Sequence, residues 1–213
     1  MTAARTSSSR DPVSRRTRTP SSELEQALVD AAEAVLVRDG PSAVTVRAVA
    51  AQAGVAPMGV YNRFGGKDGL VEALLIRAFD LLRAAVETHG ETDPLERLLA
   101  SGRRYREFAV SHPQHYAVMF GQAISGDVMT DRVGDQAETA FGALVSHVDY
   151  AMTGGAISPG NSFDVAQQIW STVHGAVALE LNGLIKTPDP AATYERLLQL
   201  LVAGLTSSGS TAA

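Results

Sequence analysis

The chain has 213 residues and a formal charge of −5 at pH 7, with 45% hydrophobic residues, 19% charged residues and no cysteine. That length supports one large domain, or a small one joined to a medium one, while the missing cysteines exclude disulfides, thiolate metal sites, iron–sulfur clusters and cysteine nucleophiles. Abundant alanine with only 6% aromatic residues favours helix over sheet.

The charge is unevenly placed. Residues 1–70 carry nine basic and seven acidic side chains, which leaves −7 on the remainder. A basic amino-terminal third on an acidic body suits a polyanion-binding module joined to a second module. The first twenty residues hold Arg5, Arg10, Arg15, Arg16 and Arg18 among Ser, Thr and Pro, with no apolar core for a signal peptide. Residues 1–21 are therefore expected to form a disordered, Arg-rich tail. The longest charge-free run, 108–126, includes Ser111, His112, Pro113, Gln114, His115 and Gln122, too polar for a bilayer span. The expectation is a soluble, cytoplasmic protein without a membrane partner.

Order is expected from Ser22, an N-cap with Glu25 completing a capping box. Leu24, Leu28, Ala31 and Val35 then recur at helical spacing until Gly40 and Pro41 end the helix. Thr45 caps a short helix with Val49, Ala50 and Ala53 inside; Gly54 and Val55 make a tight turn, and Pro57 opens a second short helix. This second helix runs over 57–64, buries Val60 and Phe64, and leaves Met58, Tyr61 and Asn62 facing out. Lys67 and Asp68 open a long helix with an inner stripe of Leu70, Leu74, Ala78 and Leu81, fading near Gly90. Further helices are predicted over 94–111, 113–120, 127–152, 162–186 and 191–206, and 207–213 reads as a frayed end. About nine helices and no sheet make the fold class all-α.

Helix, turn and helix over 45–64 has two readings: a packing element, or a helix-turn-helix that sets its second helix in the major groove. Tyr61 and Lys67 put a hydroxyl and an ammonium on one edge, suited to phosphate oxygens. The longer pattern of Thr45, Val49, Ala50, Ala53, Gly54, Val55, Tyr61, Phe64, Lys67 and Leu70 resembles the DNA-binding domain of the tetracycline-repressor (TetR) family of bacterial regulators. Ala56 and Gly59 depart from the Ser and Thr common there. The resemblance implies a homodimeric regulator that binds operator DNA and a small molecule; the expected action is that of a repressor on a palindromic, double-stranded site, released by its effector, and an activator is the alternative that the residues leave open. It also implies a DNA-binding domain over 22–68 and a ligand-binding and dimerisation domain over 69–213. Thr45, Arg47, Pro57, Met58, Gly59 and Asn62 are the DNA-contacting candidates with Tyr61 and Lys67 on phosphates. The Arg-rich tail is either a solvated end or an arm along the DNA.

Trp170, His174 and Gly175 resemble the carboxy-terminal effector domain of TetR regulators named WHG after those residues. Trp170 and His174 share a helix face, either as a core pair or as ligand contacts. Tyr105, Phe108, Tyr116, Met119, Phe120, Met129 and Phe141 are spread over other helices and line an apolar pocket or fill a core. An apolar or amphipathic effector follows from the first option. The last helix carries Tyr194, Leu197, Leu198, Leu201, Val202 and Leu205 on one stripe, with Leu200 widening it towards a partner subunit.

The rival class is a small all-helical enzyme or metal protein. No phosphate-cradling glycine motif, nucleophile elbow or helical zinc motif occurs, and His89, His112, His115, His147 and His174 have no ligand-like spacing. No catalytic residue, metal or cofactor is expected.

Overall fold

Leu28, Ala31, Ala32, Val35 and Leu36 are buried along one face of the first helix, α1 (Ser21–Asp39), so the apolar repeat at helical spacing becomes a packed surface. These positions come from a computed structural model that describes residues 21–88, 90–121 and 128–207. Of the tail expected over 1–21, residues 1–20 lie outside the described residues, as does the end beyond 207, whereas Ser21 already opens the first helix. The helix begins one residue before the expected boundary. Ser22 consequently sits inside the first turn rather than capping it, since nothing in that exposed turn opposes another helical residue.

A single 3-10 turn at Pro41–Ala43 leads to α2 (Val46–Gln52), where Thr45 Oγ1 accepts the Ala48 N–H at 3.2 Å as the expected cap. Val49 and Ala50 are buried beneath it. The turn into α3 (Pro57–Phe64) uses Gly54 at φ +68°, where an added Cβ would meet nothing within 4 Å; the glycine is needed for backbone conformation and not for space. Val60 anchors α3 from inside.

The fourth helix, α4 (Lys67–Val86), has twenty residues and is therefore about 30 Å long. Its first turn lies directly on the end of α3. A Cβ at Gly69 would stand 2.0 Å from the Phe64 carbonyl oxygen, so no side chain fits there. The inner stripe differs from the sequence expectation: Leu81 is 38% exposed and Leu82 is buried in its place. Leu82 follows Ala78 at four-residue spacing and continues the buried face to Val86, on a helix that packs mainly on α7 and α5 and also meets α6, α1 and α3. The helix also ends before Gly90, at Val86.

The second half consists of α5 (Pro94–Ser111), α6 (Pro113–Phe120), α7 (Asp131–Thr153), α8 (Ser162–Leu181) and α9 (Pro190–Ser207). Nine α-helices and no strand occur among the described residues, which is the all-α fold expected. Side-chain caps set three of the starts: Asp93 accepts from Glu96, Thr130 from Val133, and Asn161 from Phe163 and Asp164. The Thr130 cap corrects the expected start of α7 from residue 127 to Asp131. The end of α8 comes at Leu181 instead of residue 186. Asn182 Nδ2 donates to the Ala178 carbonyl, and the Leu184 N–H turns back to Leu179 at 2.8 Å, which closes the helix. Arg103 reaches Glu195 on α9 and Arg106 reaches Glu180 on α8, while Tyr194 donates to the Gly102 carbonyl at 2.9 Å. These three residue pairs tie α5 to the last two helices.

Gly69→Ala should lower stability by about 1–3 kcal/mol, because the methyl group has to displace backbone. Gly134→Ala, where a Cβ meets nothing within 4 Å inside α7, should instead raise it by about 0.5–1 kcal/mol. Urea unfolding followed by circular dichroism measures both, and equal signs would contradict the close approach of α3 and α4.

Candidate nucleic-acid interface and ligand cavity

The outer face of α3 is built by what lies beneath it. With Val60 buried, the intervening positions of an eight-residue helix point outward: Met58 is 63% exposed, Tyr61 51%, and Asn62 is exposed beside them. Pro57 opens this face, and Gly59 leaves a shallow gap whose nearest neighbour is Val55. The structure brings these five residues together with Lys67, exposed at the first position of α4; the Tyr61 ring passes 3.9 Å from where a Gly66 Cβ would stand. Arg47 is exposed on α2, and Thr45 is exposed at its cap. The Thr45 oxygen is occupied by the Ala48 N–H, which leaves its O–H proton to donate outward.

In the second half, α4, α5, α6, α7, α8 and α9 enclose a cavity of about 750 Å³. Five of the residues expected at a ligand site line it: Tyr105, Met119, Phe120, Phe141 and Trp170. Met129 lines it as well. Phe108 does not; it is buried elsewhere and stacks on His112 with ring centroids 5.0 Å apart. Tyr116 and His174 stand behind the wall. The hydroxyls of Tyr105 and Tyr116 both lie 2.9 Å from His174 Nδ1, and the His174 ring meets Phe120 at 4.8 Å and Trp170 at 5.3 Å.

This cluster is polar but uncharged. Burial pulls His174 below its ordinary value of 6.5 and pushes Tyr105 above 10; Tyr116 is raised by burial and then by the neighbouring Tyr105. A neutral imidazole has one protonated and one accepting ring nitrogen, so Nδ1 makes one full hydrogen bond with the two phenols, which also bond to each other. Tyr105 reaches from this cluster to the cavity, so the hydrogen bonds orient one wall residue.

Sequence reasoning missed the aliphatic share of the wall. Leu82 and Val86 come from α4, beside the equally unexpected Phe79, and Leu198, Leu201 and Leu205 come from the α9 stripe that the sequence reading used to argue a partner surface. Phe163 was also missed; it is 58% exposed at the start of α8 and packs edge-on against Phe141 at 5.1 Å.

Two elements link the cavity to α1. One is α4 itself. The other is α6, where Met119 and Phe120 face the cavity while His115, one turn earlier, donates from Nε2 to Glu33 on α1 at 2.9 Å. The other oxygen of Glu33 accepts from Arg77 on α4 at 2.6 Å, and Arg77 also pairs with Asp30 at 2.7 Å.

Comparison with known proteins covers both halves of the chain. The family described as bacterial regulatory proteins, tetR family, matches residues 28–74, and the tetracyclin repressor-like C-terminal domain matches 98–201. A transcriptional regulator of the helix-turn-helix type from Mycobacterium tuberculosis is 25% identical, covering 91% of this chain and 88% of its own. A Rhodococcus protein of unknown function superposes with a TM-score of 0.77 at 26% identity, covering 86% of this chain and 96% of its own. The regulator FadR from Bacillus subtilis, in complex with stearoyl-CoA, has a TM-score of 0.68 at 20% identity, with coverage of 84% and 98%. The last likeness is one of fold.

The buried His174 carries a consequence for stability. Its folded-state pKa lies below the unfolded value of 6.5, so the unfolded chain takes up a proton that the folded one refuses. Its contribution is complete above that value and is lost as pH falls through it towards the folded-state pKa. His174→Asn, which keeps an acceptor near Nδ1, should therefore lose less stability than the parent between pH 7.5 and 5.5 in urea unfolding. An identical loss in both proteins would mean that His174 titrates as in water.

Proposed function

Because the chain belongs to the TetR family of bacterial transcriptional regulators, we propose that it is a ligand-responsive repressor that binds a palindromic operator as a homodimer. Residues 22–68 act as the DNA-binding unit and 69–213 as the effector and dimerisation unit. The family is one of regulators, which displaces the enzyme alternative. The observation that carries the proposal is continuity. The helix beginning at Lys67, beside the exposed face of α3, ends on the wall of a 750 Å³ apolar cavity.

On DNA, the start of α3 enters the major groove, with Pro57, Met58, Gly59 and Asn62 near base edges and Arg47 beside them. Tyr61, Lys67 and Thr45 take phosphate oxygens, which fixes the register without reading sequence. Two such helices must be held about 34–36 Å apart, which requires a dimer. Its interface is the outer face of α8 and α9: Leu200 on α9 is 71% exposed, and Leu179 on α8 and Leu184 in the connection between the two helices are exposed as well.

The effector is a small apolar or amphipathic molecule held against Tyr105, Met119, Phe120, Phe141 and Trp170, with Tyr116 and His174 orienting Tyr105 from behind. A neighbour in complex with stearoyl-CoA supports a hydrophobic occupant. Release follows if the ligand binds one arrangement of α4 and α6 better than the other, since equal affinity for both shifts nothing. Displacement of Met119 and Phe120 carries α6 with it, and His115, Glu33 and Arg77 pass the movement to α1 and α4.

Tyr61→Phe combined with Lys67→Ala should weaken binding to every DNA sequence while the fold persists. The slope of log affinity against log salt should become shallower by about one unit for the lost lysine contact. Fluorescence anisotropy on the DNA upstream of the gene measures both, and an unchanged slope contradicts the phosphate assignment. Light scattering should give twice the 22.4 kDa chain mass, and Leu200→Arg should return it to the single-chain value. A dimer undisturbed by that change moves the interface elsewhere.

A further inference from the structure

The described cavity wall carries almost no charge. Among the described residues, 27 line the cavity; none of these is lysine, arginine or histidine, and Glu138 is the one carboxylate. The polar residues divide by depth. Ser101 and Tyr105 on α5 are buried inside, and the Tyr105 hydroxyl is already engaged with His174. Glu138 on α7 and Gln167 on α8 are exposed, as are Met129 and Phe163, so these four residues mark the mouth. Arg132, the nearest cation in sequence on α7, is engaged with Glu72 at 3.2 Å, and Glu138 forms no ion pair among the described residues.

We propose that the effector carries no negative charge: an apolar body fills the cavity, and a neutral or cationic head lies at the mouth beside Glu138 and Gln167. The proposal rests on the cavity being the effector site. The physical reason is desolvation. A carboxylate or phosphate drawn into apolar surroundings needs a cation or several N–H donors to replace its water, and the wall supplies no cation. At the mouth the same anion meets the Glu138 carboxylate and is repelled. A cationic head at that position keeps part of its water and gains Glu138 as a partner, while a hydroxyl or amide can hydrogen-bond to Gln167 or Glu138. An acyl-CoA, a polyanion, is unmatched by this mouth, although a regulator of the same fold is known in complex with one.

Three probes with the same ten-carbon body separate charge from hydrophobicity: decylamine, which is cationic at pH 7.5, decanol and decanoate. Trp170 is the only tryptophan and lines the cavity, so its emission reports occupancy directly. Below their aggregation concentrations, decylamine and decanol should both quench or shift Trp170. Decanoate should bind more weakly than decanol by roughly tenfold or more, the factor that a difference of about 1.4 kcal/mol produces. Glu138→Lys should reverse the order of the two ions, strengthening decanoate and weakening decylamine, with the reversal fading as salt screens it. Decanoate binding the parent as tightly as decanol, or an order of the ions unaltered in Glu138→Lys, overturns the charge assignment while leaving the cavity as the effector site. Absence of any Trp170 response to all three probes overturns both.

Discussion

Leu70, Leu74 and Leu75 on α4 are buried where this helix meets α1 and α3, whereas Phe79, Leu82 and Val86 are buried further along and border the cavity. One twenty-residue helix thus has to satisfy two cores, and each core limits how the other can move. A helix transmits displacement along its axis because its backbone hydrogen bonds and close-packed side chains resist local compression. Gly69 makes the amino-terminal junction tight: with the Phe64 carbonyl seated on its Cα, α3 and the start of α4 move as a unit. The rest of the arrangement follows from that constraint. A reorientation of α3 would bear on the start of α4, whose far end borders the cavity.

The polar contacts around this axis orient more than they stabilise. Arg77 lies between Asp30 and Glu33, partly exposed, so screening by water limits its contribution to about 0–1 kcal/mol. Geometry is the more important product, because a carboxylate shared by Arg77 and the buried His115 joins three helices at one point. The Tyr105, Tyr116 and His174 cluster has the same character. Two hydroxyls on one imidazole nitrogen hold α5, α6 and α8 in register without placing a charge beside an apolar cavity. Neutrality matters here, since an imidazolium at this position would require a counterion that the surrounding rings do not supply.

The two functional surfaces of the chain use opposite chemistry. The face of α3 with Lys67 and Arg47 is exposed, polar and basic, suited to a ligand that keeps its water and its counterions until contact. The cavity is largely apolar and opens at a mouth marked by Glu138 and Gln167, suited to a ligand with an apolar body. On the proposed reading, a molecule in the cavity competes with DNA only through conformation, because the cavity wall and the face of α3 share no residue.

Much of the fold was legible in the residues alone. Helical periodicity marked all nine α-helices, Thr45 and Gly54 marked the cap and the turn of the helix pair, and the run from Thr45 to Leu70 pointed to the family. These are local signals: a cap, a turn and an apolar stripe are each decided within a few residues. Other features were decided only by tertiary structure. Periodicity allowed Leu81 or Leu82 after Ala78, at three- or four-residue spacing, and packing chose Leu82. It expected α8 to run on to residue 186, where side-chain and backbone bonds around Asn182 close it. It left Trp170 and His174 between core and ligand contact, and the fold separates them, Trp170 on the wall and His174 behind it. A buried apolar side chain reads the same in sequence whether it meets another side chain or empty volume. The cavity is the space that six helices fail to fill, and that depends on how they are set against one another.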